Sequence, residues 1–371
     1  MKTKIKVLLC MGILILQASG CADSSEHIAP SESAMENEKQ SSEALSAEET
    51  AESAEGIAEA SGVLSDEMPE DESATGPLFD MDETGAEIAA YEEFLTGKRT
   101  AKVAQSCYVS APYIGSFLTD CMEDRSENRF SIDDLTAAIT VKMRENRGGE
   151  ECGIQGMEYA LLDCGGKKLL ALRVYGVDIY AQNDDSDLTM VLMEDNGVLL
   201  ITYAVDSWAR SMSVLFSNGY VFGGGSGGAE CHYTWEGIIG ADGVYRRTYD
   251  CHAELGQSLY GMTSHWEIWD ENDRGSFPVE FAEYQVNEET IYCYAILDDL
   301  ADEEIVSAQD REIIMDYLKD NEVRMGIQFL TTDEAWARVE QNRKALGVTD
   351  EMQDDEHIIS WRTLWEDGLT P

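Results

Sequence analysis

From residue 86 onward, apolar positions recur first at helical and then at strand spacing. "GAEIAAYEEFLTG" places Ile88, Tyr91, Phe94 and Leu95 on one helical face and stops at Gly97. "FSIDDLTAAITVKM" predicts a second helix, with Ser131 as N-cap and Asp134 three residues on. The period then drops to two. "EYALLDCGGKKLLALRVYGVDIYA" predicts two strands about a turn, and the unit repeats in "LTMVLMEDNGVLLITYAV", "SMSVLFSNGYVFGG" and "WEGIIGADGVYRRTYDC". The repeats carry Asn196-Gly197, Asn218-Gly219 and Asp242-Gly243, dipeptides that favour hairpins because both turn positions take φ > 0. Spacings of 22 and 24 residues between them predict a meander of hairpins; a propeller blade needs about twice that period. "MTSHWEIWDE" and "ETIYCYAIL" add strands.

The helical period returns in "DREIIMDYLKD" and in "TTDEAWARVEQNRKALG", where Thr331 and Glu334 form a capping box and Gly347 ends the helix. "IISWRTLW" predicts a closing strand. The expected class is therefore α+β, an antiparallel meander over 155–298 with helices over 86–145 before it and helices and a strand over 300–371 after it.

Upstream of residue 86 the pattern has another meaning. Lys2, Lys4 and Lys6 precede an unbroken apolar run from Val7 to Leu16, too short to cross a hydrocarbon core of ~30 Å as a helix. With Ala18, Ser19 and Gly20 it describes a signal peptide over 1–20. Cys21 directly after Gly20 resembles the lipobox of bacterial lipoproteins, although Ala18 stands where that family usually has Leu. The resemblance implies a Cys21 lipidated on sulfur that becomes the new N-terminus; an ordinary signal peptide cut nearby is the alternative. Residues 22–87 hold twenty Asp or Glu against Lys39, and no aromatic precedes Phe79. Such a segment cannot bury enough apolar surface to offset its ordering entropy, so 21–85 is expected to be a disordered acidic stalk, spanning roughly 45 Å as a coil.

The formal charge of −47 leaves −31 on the part beyond the stalk, which repels nucleic acid and anionic lipid. Besides Cys10 and Cys21 there are seven cysteines: 107, 121, 152, 164, 231, 251 and 293. Outside the cytoplasm an odd count leaves at least one unpaired thiol. No CxxC occurs, which removes the main support for a zinc ribbon or a thioredoxin-like site, and no cofactor is expected.

Tyr159, Ala160, Asp163, Cys164 and Gly165, then Leu170-Ala171-Leu172, "SWARS" (Ser207–Ser211) and "GGGSGGAE" (Gly223–Glu230) carry a resemblance. Over about 88–255 the chain is similar to a group of uncharacterised bacterial lipoproteins and secreted proteins. Their domain has "YAxIDCGxDGxxELAL" after a helix, then a hairpin meander with "SWxRS" and a Gly-Ser-Gly-rich turn. Here "DCGGKKLLAL" lacks the Asp-Gly and Glu that could bind calcium. The resemblance implies place and fold, and no reaction.

Four constellations are candidates for chemistry. Gly224–Gly228 matches GxSxG, and Gly223, Gly225 and Gly228 match GxGxxG. The "CHYTW" that follows does not open the helix either motif requires, so a turn between strands is expected. Asn183, Asp185, Asp187, Thr189, Val191 and Glu194 have EF-hand spacing, but Leu188 stands where the loop needs Gly, so an acidic loop entering a strand is expected. In "HWEIWDE", His265, Glu267 and Trp269 share one strand face, where a tryptophan beside carboxylates could stack on a sugar.

Cys231-His232 and Cys251-His252 suggest a Cys₂His₂ zinc site. An even-length turn at Asp242-Gly243 would instead put Cys231 with His252 on one face and His232 with Cys251 on the other, so the four cannot converge on one ion and no metal site is expected. Together these features predict a lipid-anchored extracytoplasmic protein of the cell envelope. Its domain binds a glycan or an envelope protein; the alternative is a surface glycan hydrolase using acids near Trp269.

Overall fold

The computed structural model describes residues 78–80, 83–110, 114, 118, 129–146, 153–177, 186–227, 231–255, 279–296 and 306–366. Cys21, the acidic segment before residue 78 and the stretch with His265, Glu267 and Trp269 lie outside them. The class is α+β, with two sheets in which antiparallel pairs dominate.

Helix α1 (Ala86–Leu95) leads into strand β1 (Ala101–Val109), and α2 (Ile132–Asn146) follows. Then β2 (Gly156–Cys164), β3 (Lys167–Val177), β4 (Ser186–Asp195) and β5 (Val198–Ser207) run as a meander. A second meander comprises β6 (Ser211–Leu215), β7 (Tyr220–Ser226), β8 (Cys231–Ile239), β9 (Tyr245–Leu255), β10 (Val279–Val286) and β11 (Glu289–Ile296). Helix α3 (Ala308–Met325), β12 (Phe329–Thr331), α4 (Thr332–Ala345) and β13 (Arg362–Glu366) complete the described chain.

The expected single meander is thus two. The first sheet has the order β1-β5-β4-β3-β2-β13 and the second β12-β11-β10-β9-β8-β7-β6. The chain changes sheets at "SWARS", where β5 ends at Ser207, Trp208 and Ser211 bridge, and β6 begins. Strand β1 falls where only helices were expected over 86–145. It adds to the edge of the first sheet parallel to β5, and β12 pairs parallel to β11.

Of the three turn dipeptides, only Asn196-Gly197 has both residues at positive φ, at 51° and 84°. Gly219 and Gly243 enter the left-handed region without the residue before them, because their loops are longer than two residues. The helix signals hold at the atomic level. Ser131 and Asp134 exchange backbone-to-side-chain bonds at the start of α2, and Thr331 and Glu334 do the same at α4.

Three packed interfaces place the site. One face of the first sheet lies under α1 and α2, with Tyr91, Phe94, Ile139, Met143, Leu172 and Met190 all buried. Its other face meets the second sheet through Leu162, Leu169, Val191 and Tyr203 against Leu215, Val221 and Ile239. On the far side of the second sheet, Ala335 and Val339 of α4 cover Tyr249, Tyr284 and Cys293. Each such large apolar side chain contributes ~1.5–3 kcal/mol by leaving water. The packing reaches upstream of α1: Phe79 is buried edge-on against Tyr159, and Arg362 bridges to Asp80 and Glu83.

Candidate functional site

The inner face of the second sheet docks on the first sheet at its β6–β8 end. Around β10 and β11 the same face lies under α3, through Val279, Phe281 and Ile296. Between these two contacts, among the described residues, a stretch of β8, β9 and β10 is left open. Which side chains occupy it depends on register.

From Cys231 to Glu236, β8 pairs with β9 so that partner numbers add to 485: Cys231 opposes Glu254, Tyr233 opposes His252 and Trp235 opposes Asp250. Nearer the turn the numbers add to 484, from Gly237–Arg247 to Ile239–Tyr245. The loop between Ile239 and Tyr245 therefore has five residues, not the even number expected from Asp242-Gly243. Thr248 is the extra residue of a β-bulge that restores the parity. Cys231 and His252 consequently share one face and His232 and Cys251 the other, as expected, although two irregularities cancel to produce it. The buried bulge is held from outside: Asn342 of α4 donates to the carbonyls of Thr248 (2.8 Å) and Arg247 (3.2 Å), and the Thr248 hydroxyl donates to Glu236 (3.0 Å).

Gly223 opposes Trp235, and Gly225 opposes Tyr233. A Cβ on Gly223 would overlap the Trp235 ring, and one on Gly225 would overlap the Tyr233 ring. Gly223 to Ser226 of the glycine-rich motif thus belong to strand β7, where a turn was expected; Gly227 donates its amide to the Cys231 carbonyl, and Gly228 to Glu230 lie outside the described residues. The missing side chains of β7 let two aromatic rings cover the neighbouring strand. Those rings are nearly parallel (16°) with centroids 6.3 Å apart, the spacing of alternate residues on a strand, and both are half-buried.

These rings line a cleft of 420 Å³ together with Trp208 and Tyr108, and Asp206, Asp250 and Glu283 are among its polar groups. Tyr108 sits on Tyr203 and Tyr245, with ring centroids 5.4 and 4.3 Å away, so the wall is backed by a buried tyrosine cluster. Asp206 is buried and accepts from the Ser110 hydroxyl at 2.8 Å. Burial pushes the Asp250 carboxyl above the ordinary range; Arg247, 2.6 Å away, opposes the shift without cancelling it.

At the cleft's edge, His252 Nε2 lies 3.1 Å from Cys231 Sγ and 3.4 Å from a Glu254 carboxylate oxygen. Burial raises the Cys231 thiol above its ordinary range, and Glu254 opposite raises it further.

Of the residues expected to bind, His265, Glu267 and Trp269 lie outside the described residues, as do Asn183 and Asp185 of the EF-hand pattern. The described part of that pattern is strand: Asp187, Thr189, Val191 and Glu194 run along β4, Val191 is buried, and Glu194 accepts from the Gly197 amide. An extended strand spreads such groups and cannot wrap an ion. Sequence reasoning missed the cleft. Its signal was the alternation Cys231, Tyr233, Trp235 opposite the glycines at 223 and 225.

No family model matches this chain, and no curated protein or solved structure matches it either.

Proposed function

We propose that the chain is a lipid-anchored, extracytoplasmic binding module that holds a neutral glycan in the cleft of Tyr233 and Trp235. The observation that carries this reading is the nearly parallel pair of rings laid over a glycine strand and flanked by carboxylates. The C–H faces of a sugar stack on such rings, while its hydroxyls donate to carboxylate oxygens. A formal charge of −47 favours a neutral saccharide over an anionic one. Among the described residues no helix is long and apolar enough to cross a membrane, and the reading assigns attachment to Cys21 instead.

Hydrolysis is the second reading, because Asp250 is a cleft carboxyl with a raised pKa beside further acids. Its engagement with Arg247 leaves it poorly placed to give a proton to a leaving group, so binding is preferred.

Calorimetric titration with chitotetraose and with cell-wall glycan fragments tests the cleft. Trp235→Ala is expected to weaken binding at least tenfold, and an unmodified chain that binds neither glycan would sink the reading. The anchor is tested separately. Cys21→Ala is expected to move the protein from the membrane fraction to the medium or leave its leader uncut. A free Cys21 thiol in membrane-derived protein, seen by mass spectrometry, would count against lipidation.

A further inference from the structure

We propose that Cys231 Sγ, His252 Nε2 and a Glu254 carboxylate oxygen form a three-ligand site for a zinc-type divalent ion, with its remaining position open at the edge of the cleft. The three ligand atoms lie within 4.8 Å of one another, and they come from directly paired or diagonal positions on β8 and β9. Ligand atoms around a tetrahedral zinc, with bonds of about 2.0–2.3 Å, lie roughly 3.4–3.6 Å apart. The separations of 3.1 and 3.4 Å from His252 Nε2 are already close to that spacing.

Two further observations separate a metal site from the obvious alternative, a thiol nucleophile activated by histidine. In a catalytic Cys–His–acid relay the acid orients the imidazole through the ring nitrogen that the thiol does not use. Here thiol and carboxylate both converge on Nε2, which is how ligands surround an ion. Cys231 also stands directly opposite Glu254. That pairing puts a sulfur and a carboxylate, both ordinary zinc ligands, side by side on one face of the sheet. On the side toward β7 the position next to Cys231 is Gly227, where even a Cβ would come within 3.1 Å of the sulfur. Among the described residues no side chain competes there. The ligand set is not the Cys₂His₂ combination that the two Cys-His dipeptides suggest, because His232 and Cys251 lie on the opposite face.

The test is a titration of the full chain, stripped with chelator and kept reduced, first with Co²⁺ and then with Zn²⁺. The many surface carboxylates can hold divalent ions weakly, so the readout is the sulfur-to-cobalt charge-transfer band, which oxygen ligands cannot produce. One equivalent of Co²⁺ is expected to develop the band, and Zn²⁺ to displace it. Cys231→Ser should abolish it, His252→Ala should weaken Co²⁺ binding at least tenfold, and Glu254→Gln should weaken it less. His232→Ala is expected to bind as the unmodified chain does. Circular dichroism of each variant identifies any that has failed to fold; Glu254→Gln, a conservative change, provides the test if the others do. No band in the unmodified chain, or a band that survives in folded Cys231→Ser, would overturn the site. Equal loss in folded His232→Ala would overturn it too.

Discussion

Arg343→Met is expected to destabilise the domain by about 3–5 kcal/mol, because it strands the Glu236 carboxylate in the interior. Both side chains are 5% exposed. Arg343 Nε donates to Glu236 Oε1 at 2.9 Å, and its other nitrogens reach Glu340 (2.9 Å) and Asp350 (3.2 Å). Burial alone would lower the guanidinium's pKa; Glu236 and Glu340 more than reverse that, so the charge is held by its partners. With Arg343 gone, Glu236 keeps the Thr248 hydroxyl at 3.0 Å and the neighbouring Tyr220 hydroxyl, neither of which carries a positive charge. The same change in a Glu236→Leu background should cost much less, since no buried charge is then left alone. Urea unfolding of the two single variants and the double variant measures the coupling. A single-variant loss below about 1 kcal/mol would mean that water or a rearranged partner reaches Glu236.

That ion pair also bears on the cleft. Glu236 and Thr248 belong to the β-bulge that sets which residues face inward, and Asn342, the neighbour of Arg343, satisfies the bulge's carbonyls. Helix α4 thus reads the register of β8 and β9 from the opposite side of the sheet. Loosening it is a route by which a substitution remote from Tyr233 and Trp235 can disturb them.

Legibility from sequence followed the range of the forces. Capping boxes, the Asn196-Gly197 turn and the alternation of β2 to β5 are local, and each was readable because a few adjacent residues determine it. Strand β1 was missed because its partner, β5, lies about a hundred residues on and pairs parallel, which no turn dipeptide announces. The split of one expected meander into two sheets was hidden for a similar reason: Trp208 to Arg210 looks like one more hairpin turn. The face assignment of Cys231 and His252 was correct while its stated cause was not. A five-residue loop and the Thr248 bulge each invert the parity, and neither has a distinct sequence signal. The cleft needs both sheets, since Tyr108 and Asp206 come from the first and Tyr233 and Trp235 from the second. Alternation within one strand cannot reveal a site assembled that way.

Glu280→Gln is expected to leave stability almost unchanged at pH 4 and to raise it by on the order of 3 kcal/mol at pH 8. Glu280 stands on β10 between Leu255 of β9 and Ala295 of β11. Burial pushes its carboxyl up to about 7, with no hydrogen bond or ion pair among the described residues to offset the shift. Its ordinary value in an unfolded chain is about 4.3. Between those two values the folded protein holds a proton that the unfolded chain has released. Folding therefore binds a proton there, and stability falls as pH rises from about 4 to about 7, then levels off. Most native carboxylates act in the opposite sense, because partners depress them. The difference between Glu280→Gln and the unmodified chain isolates this one group from that background, since Gln keeps the shape and cannot ionise. Cys293 gives a second consequence: its thiol is pushed up to about 12 by burial first and by Glu280 next, so the substitution should lower its pKa. Equal stabilities of the two proteins at pH 8, measured by urea unfolding, would show that the Glu280 carboxylate finds solvent or a cation in the folded state.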